Sequence, residues 1–378
     1  MLVLPAAHTD MLGIGCAGGG SCEAACYSAR AAEEQGAAGQ EEEMAPLRVG
    51  FIGAGRRASS AHYPCVARLQ EAGEVTLAAI CELDEARLRA AADRYGVGPE
   101  GRYTDHRRLL REAELDAVYP ITQPLDMLPI VLDCLNAGVH VFMEKPPGVR
   151  VADTQRMVEA AERAGHWAMV GLQRRFTAVV QEARRRVLER GPLTMCLAEF
   201  HKDFVSNPRN LRRPQTSTLM DDVIHIVDLC RYLCGGGVDE TPEAHVFQEQ
   251  FGGSEWPNCY NALVRFASGS QAIISANRSS GGRIMRVELH GAGIGCYIDP
   301  LPDRLRILAG NAQEDVTITG AELVGSDDAR DYEGTLAAHR HFVECIREGR
   351  QPWTDVRDVV GTMRLVEQLE APFWLAGG

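Results

Sequence analysis

With 378 residues there is room for two or three ordinary domains, each large enough to bury a core of its own. The composition, 45% hydrophobic and 24% charged, is that of a globular protein, and a formal charge of -13 argues against nucleic-acid or anionic-membrane partners, both of which call for a basic face. No uninterrupted apolar run reaches about 18 residues, so no transmembrane helix is expected.

Residues 1–45 are rich in Gly, Ala and Glu, with seven acidic residues against the single Arg30. They show no sustained helical or strand period and are expected to be a disordered extension, with Met44 a candidate start of the folded part. No positive n-region precedes the short apolar start, so a secretory signal is not expected. Cys16, Cys22 and Cys26 in this segment are candidates for metal binding or thiol chemistry. Cys65, Cys81, Cys134, Cys196 and Cys345 lie inside apolar runs, as small buried hydrophobes do in a reducing compartment, and a cytoplasmic location is expected. Cys230 and Cys234 are four apart on a predicted helix and lack the further ligands of a zinc site.

From Leu47 the pattern becomes regular. LRVGFI runs into glycines and a helical stretch through Ala72. VTLAAICE is a second strand, and DEARLRAAADRYG a helix ending at Gly96. A helical DHRRLLREA precedes a third strand, LDAVYPIT. LDMLPIVLDCLNAG reads as a helix, VHVFM as a strand, VADTQRMVEAAERAG as a helix and HWAMVGL as a fifth strand. Apolar strands alternating with helices predict a doubly wound parallel sheet of the Rossmann type over residues 46–170. Beyond residue 171 the grammar changes. Two helical stretches, 176–191 and 218–234, enclose one strand and a polar loop at 205–217; then EAHVFQEQF, NALVRFA, SQAIISANR, IMRVELHG, CYID and RLRIL follow almost without helices, separated by ASGS, SSGG and GAG turns. The expectation for 171–378 is an α+β domain with a large, mostly antiparallel sheet, closed by two helices and serving substrate binding and oligomerisation.

The turn after the first strand reads Gly53-Ala54-Gly55-Arg56-Arg57-Ala58. A glycine triplet alone is a weak signal, but this one follows a strand and opens a helix. Gly53 permits the tight turn, Gly55 lets backbone approach a pyrophosphate on the helix N-terminus, and Ala58 allows close helix–strand packing. Glu82 ends the second strand, where a carboxylate accepts from adenosine ribose hydroxyls and repels a 2′-phosphate; a solvated glutamate before a helix is the plainer reading. NAD is the expected cofactor, with Arg56 and Arg57 the features that favour NADP.

Ligands of such sheets bind beyond the carboxyl ends of the strands. Thr122 and Pro124 follow the third strand; Glu144-Lys145, at the mouth of the fourth, are followed by two prolines that fix the turn. These residues are expected near the nicotinamide end of the cofactor, where a lysine can give a hydrogen bond or a proton to a substrate oxygen. Asp221, His225 and Asp228 lie on the predicted 218–234 helix at spacings of four and three, so they share one face. They suit proton transfer at a carbinol oxygen; a helix-capping acid pair, Asp221 and Asp222, with a buried histidine accounts for them as well. Gln173, Arg174 and Arg175, after the fifth strand, either reach cofactor or substrate or begin a solvated helix.

The order GAGRRA, acidic strand end, T-x-P turn, EKP and D-x-x-x-H-x-x-D resembles the glucose–fructose oxidoreductase / inositol dehydrogenase / MocA (Gfo/Idh/MocA) family from Leu47 to the C-terminus. The resemblance implies NAD(P)-dependent oxidation or reduction of a sugar, cyclitol or similar small molecule. It implies Lys145 and His225 as acid/base pair, with Asp221 binding or orienting substrate, and dimers or tetramers built through the open face of the C-terminal sheet. Where the family often has a histidine after the T-x-P turn, this chain has Leu125-Asp126-Met127-Leu128, and Leu219 and Val223 replace glycines near the helix motif, so a changed pocket is expected. Two competing readings are a catalytically silent dinucleotide-binding sensor and an NAD-dependent hydrolase with transient oxidation. A metal enzyme using Asp221, His225 and Asp228 is the weakest.

Overall fold

The computed structural model describes residues 45–207, 216–300 and 303–376, with side chains to Ala371. The expectations for residues 1–44, including Cys16, Cys22, Cys26 and Met44, and for most of the polar loop at 205–217, lie outside the described residues. Ala45–Gly378 form one compact unit.

The first half opens with β1 (Leu47–Ile52), a π-helical turn (Ala58–His62) and α1 (Tyr63–Glu71). There follow β2 (Val75–Cys81), α2 (Glu85–Tyr95), β3 (Arg102–Tyr103), α3 (His106–Glu112), β4 (Ala117–Pro120), α4 (Pro124–Asn136), β5 (His140–Met143), α5 (Val151–Ala164) and β6 (Ala168–Val170). The strands pair in parallel in the order β3-β2-β1-β4-β5-β6, with the reversal between β1 and β4. Sequence alone predicts five of these strands. The sixth, β3, is a two-residue ladder on Ile80 and Cys81, too short to carry any period. Local chemistry marks the helix ends: Asp84 Oδ1 accepts from Ala86 N (2.9 Å) and Arg87 N (3.0 Å) at the start of α2, and Gly96 closes it in the left-handed region at φ 75°.

The second half contains a 3-10 turn (Gln173–Phe176), α6 (Ala178–Leu188) and β7 (Met195–Asp203). A π-helical turn (Leu219–Val223) continues into α7 (Ile224–Leu233). Next come β8 (Glu243–Glu249), β9 (Cys259–Arg265), β10 (Gln271–Asn277), β11 (Ser279–Gly291), β12 (Ile294–Asp299), β13 (Arg304–Ala309) and β14 (Glu314–Thr319). They form an eight-stranded sheet, β14-β13-β12-β11-β7-β10-β9-β8, antiparallel except for the β7–β10 pair. The mostly polar β14, absent from the sequence expectation, pairs along the outer edge of β13.

One face of this sheet is covered by α6 and α7. The other alternates outward: on β9 Tyr260, Ala262 and Val264 are buried while Asn261, Leu263 and Arg265 are exposed. After the short helices α8 (Gly320–Val324) and α9 (Ala329–Tyr332), the chain returns to the first sheet through α10 (Thr335–Glu348) and α11 (Val356–Ala376). Leu336, Phe342 and Val343 of α10 share one core with Phe51, Tyr119 and Phe142, and α11 packs on α5 and α7. The carboxyl ends of the parallel strands therefore face residues contributed by the second half.

Candidate active site

At the glycine loop the two glycines differ physically. Gly53 has φ +107°, and a Cβ there would come within 2.4 Å of the Ile121 carbonyl, so the protein itself requires glycine. A Cβ at Gly55 would meet nothing within 4 Å. Packing does not demand glycine there, and the open space suits a phosphate brought against the backbone. Ala58 is fully buried under the loop. Glu82 closes the other side: its Oε2 accepts from Ala54 N (2.8 Å) and its Oε1 from Asp84 N (3.0 Å), which holds a carboxylate beside the loop.

The two arginines of the loop separate. Arg57 Nε donates to Glu144 Oε1 at 2.5 Å, whereas Arg56 is exposed and, among the described residues, has no hydrogen-bond or ion-pair partner. Arg56 is thus the arginine left free to meet a phosphate. Thr122 and Pro124 lie at the mouth of β4, Pro124 as the first residue of α4, and Leu125 beside them is 55% exposed.

Glu144 and Lys145 emerge from β5, and the Lys145–Pro146 peptide is cis. Glu144 is buried and accepts from Arg57, from Lys145 N (3.1 Å) and from His62 Nε2 (2.7 Å). Burial pushes this carboxyl up, but the His62 hydrogen bond and the charges of His62, Arg57 and Lys145 outweigh it and hold the group well below the usual carboxylate range. His62 Nδ1 in turn lies 3.0 Å from His339 Nε2, within hydrogen-bond reach. His339 is fully buried on α10; burial and His62 keep it neutral. Sequence reading missed both histidines, since 277 residues separate them.

Lys145 Nζ donates to the main-chain carbonyl of Asp221 and lies 3.5 Å from Asp221 Oδ1. The β5 lysine and the turn before α7 thus meet. One turn on, His225 is 7% exposed, and its Nδ1 has no hydrogen-bond partner. Burial first, then the charges of Lys145 and Arg174, depress its pKa well below 6.5, so it is neutral at pH 7. Gln173 and Arg174 are also buried, with Gln173 Oε1 and Arg174 Nε unpartnered. Neither begins a solvated helix.

Asp228 and Arg175 do something else. Arg175 Nε donates to Asp228 Oδ2 (2.8 Å) and Arg175 Nη2 to Oδ1 (2.5 Å), while Thr362 Oγ1 donates to Oδ1 (2.7 Å). Asp358, at 2.7 Å from Arg175 and 2.5 Å from Arg231, extends the network to α11. Asp228 is not left free beside Asp221 and His225, because a buried arginine captures its carboxylate. In place of Asp228 the fold brings up groups that no spacing signals. Asp222 Oδ2 lies 2.5 Å from Lys202 Nζ on β7 and 3.3 Å from Arg278 Nη2 between β10 and β11.

Comparison with known proteins agrees with this geometry. Residues 47–172 match the family model described as an oxidoreductase family with an NAD-binding Rossmann fold, and residues 180–293 match the Gfo/Idh/MocA C-terminal domain. Together the two matches span more than half of the chain. The chain belongs to the Gfo/Idh/MocA family. It is therefore an oxidoreductase whose first half is an NAD-binding Rossmann fold. Among its relatives are a myo-inositol 2-dehydrogenase of Thermotoga maritima, 27% identical over 85% of this chain and 93% of that one, and a scyllo-inositol 2-dehydrogenase (NAD(+)) of Bacillus subtilis, 24% identical over 76% and 83%. A dehydrogenase of Chromobacterium violaceum shares the fold at a TM-score of 0.77 and 20% identity, covering 88% of this chain and 97% of that structure. No helix among the described residues is long and apolar enough to cross a membrane.

Proposed function

We propose that this member of the Gfo/Idh/MocA family oxidises, or reversibly reduces, a CH–OH carbon of a sugar, cyclitol or related small molecule, with Lys145 and His225 as the acid/base pair. The observation that carries the reading is a set of buried polar atoms without partners: His225 Nδ1, on which the Lys145 and Arg174 charges act, Arg174 Nε, and Gln173 Oε1 one residue before it. Buried polar atoms are ordinarily satisfied, and orphans gathered at strand mouths suit a site that a ligand completes. Gly53, Gly55, Arg56, Ala58 and Glu82 would hold the dinucleotide, with Thr122, Pro124 and Glu144 near its nicotinamide end. Bound there, it supplies a hydride acceptor at nicotinamide C4. Arg57, committed to Glu144, positions that carboxylate and through it the Lys145 backbone.

At the carbinol oxygen, Lys145 Nζ donates a hydrogen bond and, with neutral His225 beside it as acceptor, moves the proton. Asp221 steadies the ammonium, and Gln173 and Arg174 bind the remaining hydroxyls. NAD is preferred over NADP because a 2′-phosphate would meet the Glu82 carboxylate. Titration of the purified protein followed by nucleotide fluorescence should show NADH binding at least about tenfold more tightly than NADPH, a difference of roughly 1.4 kcal/mol. Preference for NADPH would mean that Arg56 outweighs Glu82, and binding of neither would overturn the dehydrogenase reading. Net NADH formation during turnover separates a dehydrogenase from an enzyme that oxidises only transiently.

The outer face of the eight-stranded sheet exposes Phe247 (77%), Leu263 (47%) and Ile273 (36%), the last two paired across β9 and β10. Large apolar side chains exposed on one sheet face favour assembly with a second copy of the chain. Light scattering is expected to give a dimer or tetramer, and Leu263→Lys a monomer; a monomeric wild-type protein would rule the interface out.

A further inference from the structure

Phe200 of β7 is the centre of a charge imbalance next to the proposed acid/base pair. The Arg278 guanidinium stands over its ring at 4.5 Å, Lys202 Nζ at 4.9 Å and the Arg283 guanidinium at 5.8 Å. Of these three cations, Lys202 and Arg278 share one carboxylate, Asp222. Arg283 has neither a hydrogen bond nor an ion pair among the described residues. Arg278 is fully buried; its Nη1 donates to the Phe200 carbonyl at 3.1 Å and its Nη2 is paired with Asp222 at 3.3 Å outside hydrogen-bond geometry, while Nε has no acceptor. Gathering like charges over one ring is costly, and burying unsatisfied guanidinium donors adds to that cost. Burial depresses the Lys202 pKa, and the Arg278 and Arg283 charges press the same way against Asp222.

The cluster borders the acid/base site. Asp222 follows directly on Asp221, whose carbonyl accepts from Lys145, and the Asp222 charge acts on His225. Arg283 in turn is felt by Arg174, whose positive charge is offset only in part by Glu333 and Asp303. Burial pushes the Asp303 carboxyl up to about 6, so its charge is lost as the pH falls through that value.

We propose that the substrate is an anionic polyol, whose carboxylate or phosphoryl group is held by Lys202, Arg278 and Arg283 while its hydroxyl-bearing carbon faces Lys145 and His225. The inference rests on the dehydrogenase reading above and narrows its substrate class. Guanidinium and ammonium donors fixed over an aromatic floor are preorganised for oxyanion geometry. A neutral cyclitol would leave Arg283 without a counter-charge and the buried Nε of Arg278 without an acceptor.

The test is calorimetric titration of the full chain, saturated with NADH, using D-glucitol, D-gluconate and D-glucitol 6-phosphate as a matched neutral, carboxylate and phosphoryl set. At least one anion is expected to bind about tenfold or more tightly than D-glucitol, and which one does so identifies the group. Arg278 is too deeply packed for a clean substitution, so Lys202→Met and Arg283→Met serve. Each should cut the anion preference several-fold while leaving NADH affinity unchanged. Equal binding of all three polyols, or a preference that survives both substitutions, overturns the inference and leaves the dehydrogenase reading standing. Failure to bind NADH removes both.

Discussion

Lys145→Met is expected to lower kcat by about 10²–10⁴-fold, the range for loss of a positioned acid/base group, while NADH affinity stays at the wild-type value. Methionine keeps the stem and the packing but removes both the donor and the charge. The pH profile gives a second readout. Burial, Lys145 and Arg174 together hold His225 well below 6.5. A base with a depressed pKa stays deprotonated as the pH falls, so the acid limb of kcat/KM should lie well below pH 6.5 in the wild-type enzyme. Removing the Lys145 charge takes away one of the influences disfavouring imidazolium, and that limb should move up towards 6.5 in whatever activity remains. Near-normal turnover in Lys145→Met would exclude the lysine from the mechanism, and an unmoved acid limb would separate the two groups.

The second large effect falls on stability. Arg175→Met should lower the unfolding free energy by about 3–5 kcal/mol, because it strands the Asp228 carboxylate in a site from which water is excluded. Both side chains are almost fully buried, at 2% and 1% exposure. The same substitution frees Asp358 from one of its two arginines, loosening the tie between the turn after β6, α7 and α11. Paired replacement, Arg175→Met with Asp228→Leu, should recover much of the loss, since two apolar groups leave no charge uncompensated. Equilibrium urea unfolding measures both, and a drop of less than about 1 kcal/mol in the single variant would mean that water reaches Asp228. The neighbouring Arg174→Met, by contrast, removes a guanidinium with no partner to strand and should act on substrate binding.

Much of the scaffold could be read locally. Parallel strands buried on both faces are continuous apolar runs, so β1, β2, β4, β5 and β6 announce themselves, and Gly53, Gly96 and Gly165 mark turns that need left-handed backbone. The T-x-P and EKP turns sit where the chain leaves a strand, and a strand end points at the ligand crevice in any doubly wound sheet. Glu82, Glu144 and Lys145 were accessible to sequence reasoning for that reason.

The sequence by itself therefore determined the alternation of strand and helix, the glycine loop, the acidic end of β2, the lysine at the mouth of β5 and the proximity in chain of Asp221 and His225. The tertiary structure alone decided which member of each pair of like residues is spent on the fold. Arg57 goes to Glu144 and Arg56 stays free; Arg175 goes to Asp228 and Arg174 remains an unsatisfied donor. Adjacent residues on a short turn point in different directions, and no one-dimensional period encodes which way each points. It also decided that Asp228 leaves the site, and that His62 with His339, and Lys202 with Asp222 and Arg278, come together. Those groups lie tens to hundreds of residues apart, and only packing of the eight-stranded sheet and the returning α10 against the strand mouths brings their charges within reach of one another.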